Sequence, residues 1–287
     1  MNHQIVKLSP GLYLVATPIG AARDITLRAL DILASVDILA AEDTRRLRKL
    51  AEIHAIPLAG RPVIAYHDHS GPGERARLLS ALAKGNSVAY ASEAGTPMIA
   101  DPGFDLARAV RDAGYTVTAA PGPSAVVTAL TLGGLPTDAF HFAGFLPNTR
   151  VGRRTRMETL TGVAATLVFY ESPNRIAAAL EDAVSVFGAD HPAALCRELT
   201  KKFEDVRRGS LAAILNTVNT RPPKGEIVLL IDRARSEPVN KDYIEDNLRI
   251  ALDRMSVRDA ADLVSKAHGL PRRQVYQMAL KLGKTEI

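Results

Sequence analysis

The sequence predicts an α/β protein made of two α/β domains and a small helical domain at the C-terminal end. Short apolar runs alternate with helical patterns through most of the chain, which indicates βαβ units and a largely parallel sheet. Three of these runs break into turns rich in proline, glycine and other small residues. Only helical spacing follows Ser236-Glu237-Pro238. We therefore predict domains over residues 1–122, 123–236 and 237–287.

The first domain is predicted from five strands that alternate with four helices. A strand is expected where a short β-rich apolar run is bounded by turn residues. The predicted strands are 12–16, 36–40, 62–66, 87–91 and 116–119. Apolar residues at helical spacing lie between them, near 24–34, 44–52, 74–84 and 103–113. A helix over 124–132 is expected to lead into the second domain.

The second domain is predicted to hold a mixed sheet. Its predicted strands are 140–145, 165–170, 193–197, 203–208 and 226–232, with helices near 151–160, 174–187 and 210–217. Only Glu198–Lys202 separates the third strand from the fourth, and such a short connection cannot join parallel neighbours. We therefore expect an antiparallel hairpin there.

The third predicted domain contains two short helices around a turn. Apolar residues at helical spacing run over 257–264 and restart over 272–280, with Gly269-Leu270-Pro271 between them. This pattern is similar to a helix-turn-helix, whose second helix contacts nucleic acid near its start. Arg272 and Arg273 lie at that position, so we predict that they bind RNA. A helical hairpin that only packs on the body or forms a dimer is an equal alternative.

Composition limits the class of protein. The 287 residues are 47% hydrophobic, enough for a sizeable core, and the net charge of +5 favours an anionic partner without proving one. Cys196 is the only cysteine, which excludes an intrachain disulfide and a cysteine-based zinc site and fits the reducing cytoplasm. We expect no metal, no signal peptide and no membrane association.

One glycine motif formally matches a dinucleotide-binding fingerprint. Gly71-Pro72-Gly73-Glu74-Arg75-Ala76 fits the G-x-G-x-x-A pattern, and Glu93 follows at the end of the next strand. However, four polar residues separate this motif from the preceding strand, and Pro72 occupies the tight turn. A nicotinamide-dependent oxidoreductase is therefore the weakest of the functions considered.

The three turns rich in proline and glycine are stronger indicators of a site. They read Thr17-Pro18-Ile19-Gly20, Ser92-Glu93-Ala94-Gly95-Thr96-Pro97 and Pro121-Gly122-Pro123-Ser124-Ala125. Turns at the carboxyl ends of parallel strands meet at one edge of the sheet, where ligands bind. Small residues let the backbone approach a ligand closely. The three turns together predict one small-molecule cleft.

These turns and several other segments resemble the tetrapyrrole methylase-like family of S-adenosylmethionine-dependent methyltransferases. The resemblance extends over about residues 11–232 and is strongest to the branch that methylates a cytidine ribose in 16S rRNA. Two positions depart from the family pattern: Ala21 replaces an Asn, and Glu93 replaces an Asp. The further matching segments are Ala40-Ala41-Glu42-Asp43-Thr44-Arg45, His67-Asp68-His69, Asp101-Pro102-Gly103, Gly144-Phe145-Leu146-Pro147, Phe169-Tyr170-Glu171-Ser172, Arg197-Glu198-Leu199-Thr200-Lys201 and Lys224-Gly225-Glu226.

The resemblance implies that S-adenosylmethionine lies in a cleft between the two α/β domains. The positions that it assigns to cofactor binding are Pro18, Gly20, Glu93, Gly95, Thr96, Ile99, Ser124, Ala125, Phe169, Tyr170, Arg197 and Gly225. Turns rich in glycine and proline supply the backbone partners and apolar walls that an adenine needs. A carboxylate such as Glu93 would favour the cationic sulfonium.

Transfer to a ribose 2′-hydroxyl raises the question of a base, since this hydroxyl is a weak acid. Glu42 and Asp43 end a predicted strand and are expected to face the cleft, although Asp43 could instead cap the following helix. His67 and His69 could face one side of a strand end and contact RNA or substrate. A solvated loop is an equal alternative for the two histidines, and a metal pair lacks a third obvious ligand.

Basic clusters predict an RNA-binding surface around the cleft. Arginine pairs well with phosphate, although each basic run alone is more often a solvated face. The predicted RNA contacts besides the tail are Arg45, Arg46, Arg153, Arg154 and Lys201, and the aromatic residues that could hold an extruded base are Phe145, Tyr170, Tyr66 and Phe203. The expected partners are 16S rRNA in the small ribosomal subunit and, by resemblance, a second copy of the chain. A tetrapyrrole methyltransferase and a non-catalytic RNA-binding assembly protein remain alternatives.

Overall fold

The computed structural model describes residues 2–67, 70–101, 103–233, 241–268 and 270–282. The chain divides into two compact units, Met1–Arg233 and Ala234–Ile287. The larger unit contains two five-stranded sheets and the smaller unit is helical. This confirms the predicted α/β class with a helical C-terminal part. The predicted domain boundaries at 122 and 236 stay predictions, and residue 236 lies outside the described residues.

The first sheet is entirely parallel, as predicted. Its strands are β1 (Gly11–Val15), β2 (Ile38–Ala41), β3 (Val63–Ala65), β4 (Ser87–Ala91) and β5 (Val117–Ala120), in the order β3-β2-β4-β1-β5. The helices between the strands are α1 (Leu27–Ser35), α2 (Thr44–Ile53), α3 (Pro72–Ala83) and α4 (Gly103–Asp112). Strands β1 and β4 are adjacent and parallel. The first two Pro/Gly turns follow their carboxyl ends and therefore lie side by side.

The predicted start of the first helix was wrong. Instead of beginning near residue 24, the chain forms a 3₁₀ turn over Ala22–Asp24 and begins α1 at Leu27. The reason is that the Thr26 hydroxyl accepts a hydrogen bond from the Ala29 N–H at 3.2 Å and caps the helix.

The second sheet is mixed, which confirms that prediction. Its strands are β6 (Phe140–Phe145), β7 (Thr166–Glu171), β8 (Pro192–Arg197), β9 (Asp205–Ser210) and β10 (Ile227–Ile231), in the order β6-β7-β10-β8-β9. Strands β6 and β7 are parallel, and the other neighbours are antiparallel, including the predicted hairpin of β8 and β9. Three helices pack on one face of this sheet: α6 (Arg150–Glu158), α7 (Ile176–Phe187) and α8 (Leu211–Thr220).

Helix α5 (Ala125–Gly133) covers the opposite face of the second sheet. Its Val126, Ala129 and Leu130 pack with Val168 and Leu230 from the strands. The approach is so close that a Cβ at Gly133 would lie only 2.3 Å from Leu230 Cδ1. Since α5 begins directly after the third Pro/Gly turn, this packing brings that turn beside the second sheet.

The smaller unit consists of α9 (Lys241–Leu252), α10 (Val257–His268) and α11 (Arg272–Leu282). Its core contains Ile244, Leu248, Val264 and Val275. Ser256 caps α10, because its hydroxyl accepts the Asp259 N–H at 3.2 Å. Among the described residues, no helix has both the length and the apolar composition needed to cross a membrane.

Candidate functional site

A cavity of about 560 Å³ opens where the Pro/Gly turns of the first sheet face the second sheet. This volume lies within the range of small-molecule sites in proteins. The wall from the first sheet is formed by Ile19, Glu42, Arg46, Glu93, Ala94, Gly95, Thr96, Ile99, Ala100 and Asp101. The opposite wall is formed by Ser124, Ala125, Phe145, Tyr170, Glu171, Ser172, Pro173, Leu199, Gly225, Glu226, Ile227 and Val228.

Hydrogen bonds join the three Pro/Gly turns into one unit. Thr17 and Gly95 exchange two backbone hydrogen bonds, each of 3.0 Å, which link the first turn to the second. The Thr96 hydroxyl donates to the Pro123 carbonyl at 2.9 Å and links the second turn to the third. Because each turn is held by another, the backbone groups that face the cavity are fixed before any ligand binds.

The loop after the second turn contains strained backbone. Met98 and Ala100 have φ values of 71° and 56°, in the left-handed region that residues other than glycine rarely adopt. Asp101 holds this loop: its Oδ1 accepts the Gly103 N–H and the Tyr90 hydroxyl, both at 2.8 Å. Burial, and then the negative charge of Asp101, raises the pKa of Tyr90, so this hydroxyl stays protonated and remains a donor.

The charged side chains that line the cavity are mainly acidic. Five carboxylates contribute to its walls, whereas Arg46 is the one basic side chain among the described residues that line it. Arg46 lies 2.8 Å from the Glu93 carboxylate. Glu171 and Glu226 have basic partners as well, Arg175 at 3.2 Å and Lys201 at 2.9 Å. The negative charge that remains favours a cationic ligand, because charges interact more strongly in a partly enclosed site than in bulk water. The five carboxylates are Glu42, Glu93, Asp101, Glu171 and Glu226.

Tyr170 forms the wall where α5 begins. Its ring lies edge-on to Phe142 at 4.9 Å and to Phe145 at 5.6 Å, measured between ring centroids. Burial raises the pKa of Tyr170, and a hydrogen bond with the backbone N–H of Val126 opposes that shift. The Tyr170 hydroxyl is thus held against the first turn of α5.

The loop between β8 and β9 contributes Leu199 to the cavity wall and contacts the first Pro/Gly turn. Lys201 Nζ lies 2.8 Å from Glu198 Oε1 and 2.9 Å from Glu226 Oε2. The Ala21 N–H donates to Thr200 Oγ1 at 3.0 Å. A Cβ at Gly20 would lie 2.5 Å from Thr200 Oγ1, so only glycine allows this close approach. The two sheets are therefore fixed to each other at the site.

The structure brings eight of the twelve predicted cofactor residues to the cavity wall. They are Glu93, Gly95, Thr96, Ile99, Ser124, Ala125, Tyr170 and Gly225. Pro18 and Gly20 line a smaller neighbouring groove instead. The Phe169 side chain is fully buried in the core on the helix-covered face of the second sheet, so its ring does not reach the cavity. Arg197 donates to the carbonyls of Lys224 and Phe203 and supports the wall from outside.

Sequence reasoning missed several residues of the cavity wall, and three of them carry a clear sequence signal. Asp101, Leu199 and Glu226 line it but were not predicted as site residues. The signal was present, because each lies in a segment that matches the family pattern.

The predicted catalytic residues separate in the structure. Glu42 lines the cavity. Asp43 caps α2, because its Oδ1 accepts the backbone N–H groups of Arg45 and Arg46 at 2.8 and 3.4 Å, and hydrogen bonds from Arg45 lower the pKa of Asp43. The alternative prediction, that Asp43 caps the following helix, thus accounts for its contacts.

The predicted His67 is not part of the cavity wall. His67 is exposed, and its backbone N–H donates to the Ser70 hydroxyl at 2.8 Å. His69 lies outside the described residues. Within the described part of the chain, no group of three or more His, Cys, Asp or Glu side chains could hold a metal ion.

The predicted RNA contacts also differ in their surroundings. Arg45 and Arg46 are exposed on α2 beside the cavity, and Arg154 is partly exposed on α6. Lys201 is held between two carboxylates. In the smaller unit Arg272 pairs with Asp262, and Arg273 is exposed.

The prediction for Arg153 needs correction. Its side chain is only 8% exposed and lies 2.9 Å from Asp182, which is itself buried. A further hydrogen bond of 3.0 Å reaches the Asn148 carbonyl. The guanidinium is therefore buried among the helices that pack on the second sheet and is not available to RNA.

The fold and the site together define a two-sheet α/β protein with an acidic small-molecule cleft. The profile of the tetrapyrrole (corrin/porphyrin) methylases matches residues 11–215, and that of the RsmI C-terminal HTH domain matches residues 239–283. The chain belongs to the tetrapyrrole methylase family.

Relatives in this family cover almost the whole chain. A Mesorhizobium japonicum protein named ribosomal RNA small subunit methyltransferase I is 45% identical over 280 residues, covering 97% of this chain and 94% of the relative. A Vibrio cholerae protein of the same name is 40% identical over 284 residues, covering 98% of each chain. The solved structure of a conserved hypothetical protein from Aeropyrum pernix K1 has a TM-score of 0.61 at 21% identity and covers 97% of this chain and 98% of its own. This last similarity concerns the fold alone.

Proposed function

We propose that the chain is an S-adenosylmethionine-dependent methyltransferase that methylates the ribose 2′-hydroxyl of a cytidine in 16S rRNA of the small ribosomal subunit. The observation that carries this proposal is the acidic cavity built by three linked Pro/Gly turns. The substrate is supported by the shared name of relatives that are 45% and 40% identical over nearly the full chain. A small-subunit rRNA substrate implies action in the cytoplasm.

The cavity suits S-adenosylmethionine in size and in chemistry. Its volume of about 560 Å³ lies within the range of small-molecule sites in proteins. The backbone groups at Thr96 and Ala125, held in place by the linked turns, can pair with an adenine or with the polar methionine end. The carboxylates of Glu42 and Asp101 favour a positive charge, whereas that of Glu93 is paired with Arg46. When bound, the cofactor supplies a methyl group activated by a cationic sulfur.

The residues of the chain then have three tasks in the reaction. The linked turns hold the donor rigidly, and alignment of this kind can supply several kcal/mol of the barrier for a one-step displacement. Among the predicted bases, Glu42 lines the cavity. We therefore propose that its carboxylate accepts the proton of the 2′-hydroxyl. Arg45 and Arg46 on the adjoining helix contact the RNA backbone.

The cofactor half of the proposal is tested by calorimetry with two matched variants. Ala125→Phe adds a ring inside the cavity, whereas Val127→Phe adds the same ring on the same helix at a position 56% exposed and outside the cavity wall. We expect the wild type and Val127→Phe to bind S-adenosylmethionine and Ala125→Phe not to bind it. Absence of binding by the wild type, or equal binding by all three, contradicts the proposal.

A tetrapyrrole substrate is the alternative that the family's name favours. It is tested by offering a porphyrin precursor and small ribosomal subunits to the same enzyme with labelled cofactor. Label in the tetrapyrrole and none in rRNA would replace the rRNA assignment. Homodimer formation, expected from the resemblance, is tested by sedimentation equilibrium of the purified chain.

A further inference from the structure

We infer that Phe145 is the stacking platform for the base of the target nucleotide, which enters the cavity extruded from the RNA. The inference rests on the proposed function and assigns a substrate-binding role to a residue at the same cavity. Its basis is an exposed aromatic ring at the cavity wall, held in place by its neighbours.

Phe145 is the last residue of β6 and lines the cavity, yet its side chain remains 58% exposed. Leaving a large apolar ring in water costs free energy that burial would recover. A ring that is exposed inside a ligand cavity is therefore a natural contact for a flat ligand. An extruded nucleobase, which proteins hold by stacking on aromatic side chains, has that shape.

The ring of Phe145 is fixed before the substrate binds. Its centroid lies 5.6 Å from that of Tyr170, with the planes inclined by 66°, so the contact with Tyr170 is edge-to-face. The residues that follow Phe145 are anchored by Arg175, whose guanidinium donates to the carbonyls of Leu146 and Pro147 and to Asn148 Oδ1. Since backbone and ring are both held, little conformational entropy is lost on stacking.

Arg175 is in turn held by a buried carboxylate. Its Nε lies 3.2 Å from Glu171 Oε1, and the Glu171 side chain is fully buried. Burial raises the pKa of Glu171, while the Ser172 N–H and then Arg175 oppose the shift. The end of β6, the loop after it and the end of β7 thus form one supported rim.

The other aromatic residues considered from the sequence are less suitable. Tyr66 is 3% exposed and packs edge-on against Tyr90, so it cannot accept a base. Phe203 is 63% exposed but is not part of the cavity wall, and Lys202 lies over its ring at 5.5 Å. Tyr170 lies between Phe142 and Phe145, and its hydroxyl is directed to α5. Phe145 alone among these four combines exposure with a place in the cavity wall.

Stacking makes a distinctive energetic prediction. A base stacked on an aromatic ring typically strengthens binding by about 5- to 150-fold, with little dependence on the identity of the base. Phe145 should therefore contribute to the affinity for the nucleotide and not to recognition of cytosine. It should also have no effect on the affinity for the cofactor alone.

The test compares Phe145→Leu, Phe145→Trp and the control Phe203→Leu in full-length protein. Methylation of small ribosomal subunits by labelled S-adenosylmethionine gives KM and kcat, calorimetry gives the cofactor Kd, and thermal unfolding reports stability. We expect Phe145→Leu to raise KM for the subunit by about 5- to 150-fold while cofactor Kd and Tm stay unchanged. Phe145→Trp should restore KM to near the wild-type value, and Phe203→Leu should resemble the wild type.

Three results would overturn the inference while leaving the proposed function intact. They are an unchanged KM in Phe145→Leu, a parallel loss of cofactor affinity, and a change of oligomeric state that identifies the ring as a contact between copies. A wild-type protein that binds the cofactor but does not methylate rRNA would overturn the proposed function, and the inference with it.

Discussion

Thr17 and Gly95 pair across the site through two backbone hydrogen bonds of 3.0 Å each, outside any regular strand. The pair joins the turn after β1 to the turn after β4, which are central neighbours in the first sheet. Gly95 has a φ of 81°, and a Cβ there would lie 3.3 Å from Ile19 Cγ2. The conformation of this single glycine therefore sets the spacing of two cavity-forming turns.

Substitution of Gly95 should damage both the fold and the cofactor site. Gly95→Ala places a side chain at a positive φ, which costs more than about 1 kcal/mol of unfolding free energy, and it also presses on Ile19. The control is Gly85→Ala, because Gly85 has nearly the same φ of 82° but nothing within 4 Å of the added Cβ. Chemical unfolding should detect destabilisation in both variants, and calorimetry should detect loss of S-adenosylmethionine binding in Gly95→Ala alone. Equal cofactor affinity in the two variants would mean that the Thr17–Gly95 link does not shape the site.

The adjacent arginines Arg153 and Arg154 should behave differently. Among the described residues, Arg153→Ala leaves the buried Asp182 paired with the exposed Arg150, so we expect a loss of about 3 kcal/mol of unfolding free energy. Arg154→Ala should change stability by less than about 0.5 kcal/mol but weaken binding to small subunits, with a salt dependence reduced by about one phosphate contact. Urea unfolding and binding measured at several salt concentrations separate the two effects. A stable Arg153→Ala variant with weakened RNA binding would restore Arg153 as an RNA contact.

Glu198 should contribute stability that depends on pH. The hydrogen bond from Lys201, and then that from the Glu226 N–H, lowers the pKa of Glu198 below its usual value of 4.5. The ionised form is thus favoured in the folded protein, so its contribution is present above pH 4.5 and disappears as the pH falls through the lowered pKa. Glu198→Gln should cost about 1 kcal/mol at neutral pH, and the difference from the wild type should shrink below pH 4.5.

The control for this pH profile is Glu52→Gln, since the pair of Glu52 with Lys49 is exposed. Its unfolding free energy should follow the wild type at every pH. A constant difference between Glu198→Gln and the wild type down to pH 3 would show that the carboxylate charge is not responsible.

Glu42 and Asp43 provide a matched pair for the catalytic step. Glu42→Gln removes the proposed base, and loss of a general base typically slows the chemical step by about 10²- to 10⁴-fold. Asp43→Asn should leave both rate and stability close to those of the wild type, because asparagine caps a helix as well as aspartate does. Single-turnover rates with bound cofactor and excess small subunits measure the step. A Glu42→Gln rate within a few-fold of the wild type would remove Glu42 from that role.

Much of the fold could be predicted from local sequence patterns. Strands such as β4 and β10 are buried over their whole length and appear as continuous apolar runs. Short spacing after Arg197 was enough to predict the antiparallel hairpin. Local patterns missed a helix cap. The 3₁₀ turn ends at Asp24 and Thr26 caps the start of α1, while the helical periodicity continues across both.

The site could be predicted only in part, because side-chain direction depends on distant partners. Phe169 and Tyr170 are neighbours in one motif, but successive residues of a strand face opposite sides, and only Tyr170 faces the cavity. Arg153 and Arg154 look alike in the sequence, and the buried Asp182 that distinguishes them lies on another helix. The two departures from the family pattern also depend on long-range contacts: Ala21 is held through its backbone N–H by Thr200, and Glu93 pairs with Arg46.

The most direct test is to map the methyl group that the enzyme transfers. The purified protein is incubated with tritiated S-adenosylmethionine and small ribosomal subunits from cells that lack the relevant methyltransferase. The account predicts label on a single ribose 2′-oxygen of a cytidine in 16S rRNA, with Glu42→Gln strongly slowed. Cofactor binding without any label in the rRNA, or label on a base, would contradict it.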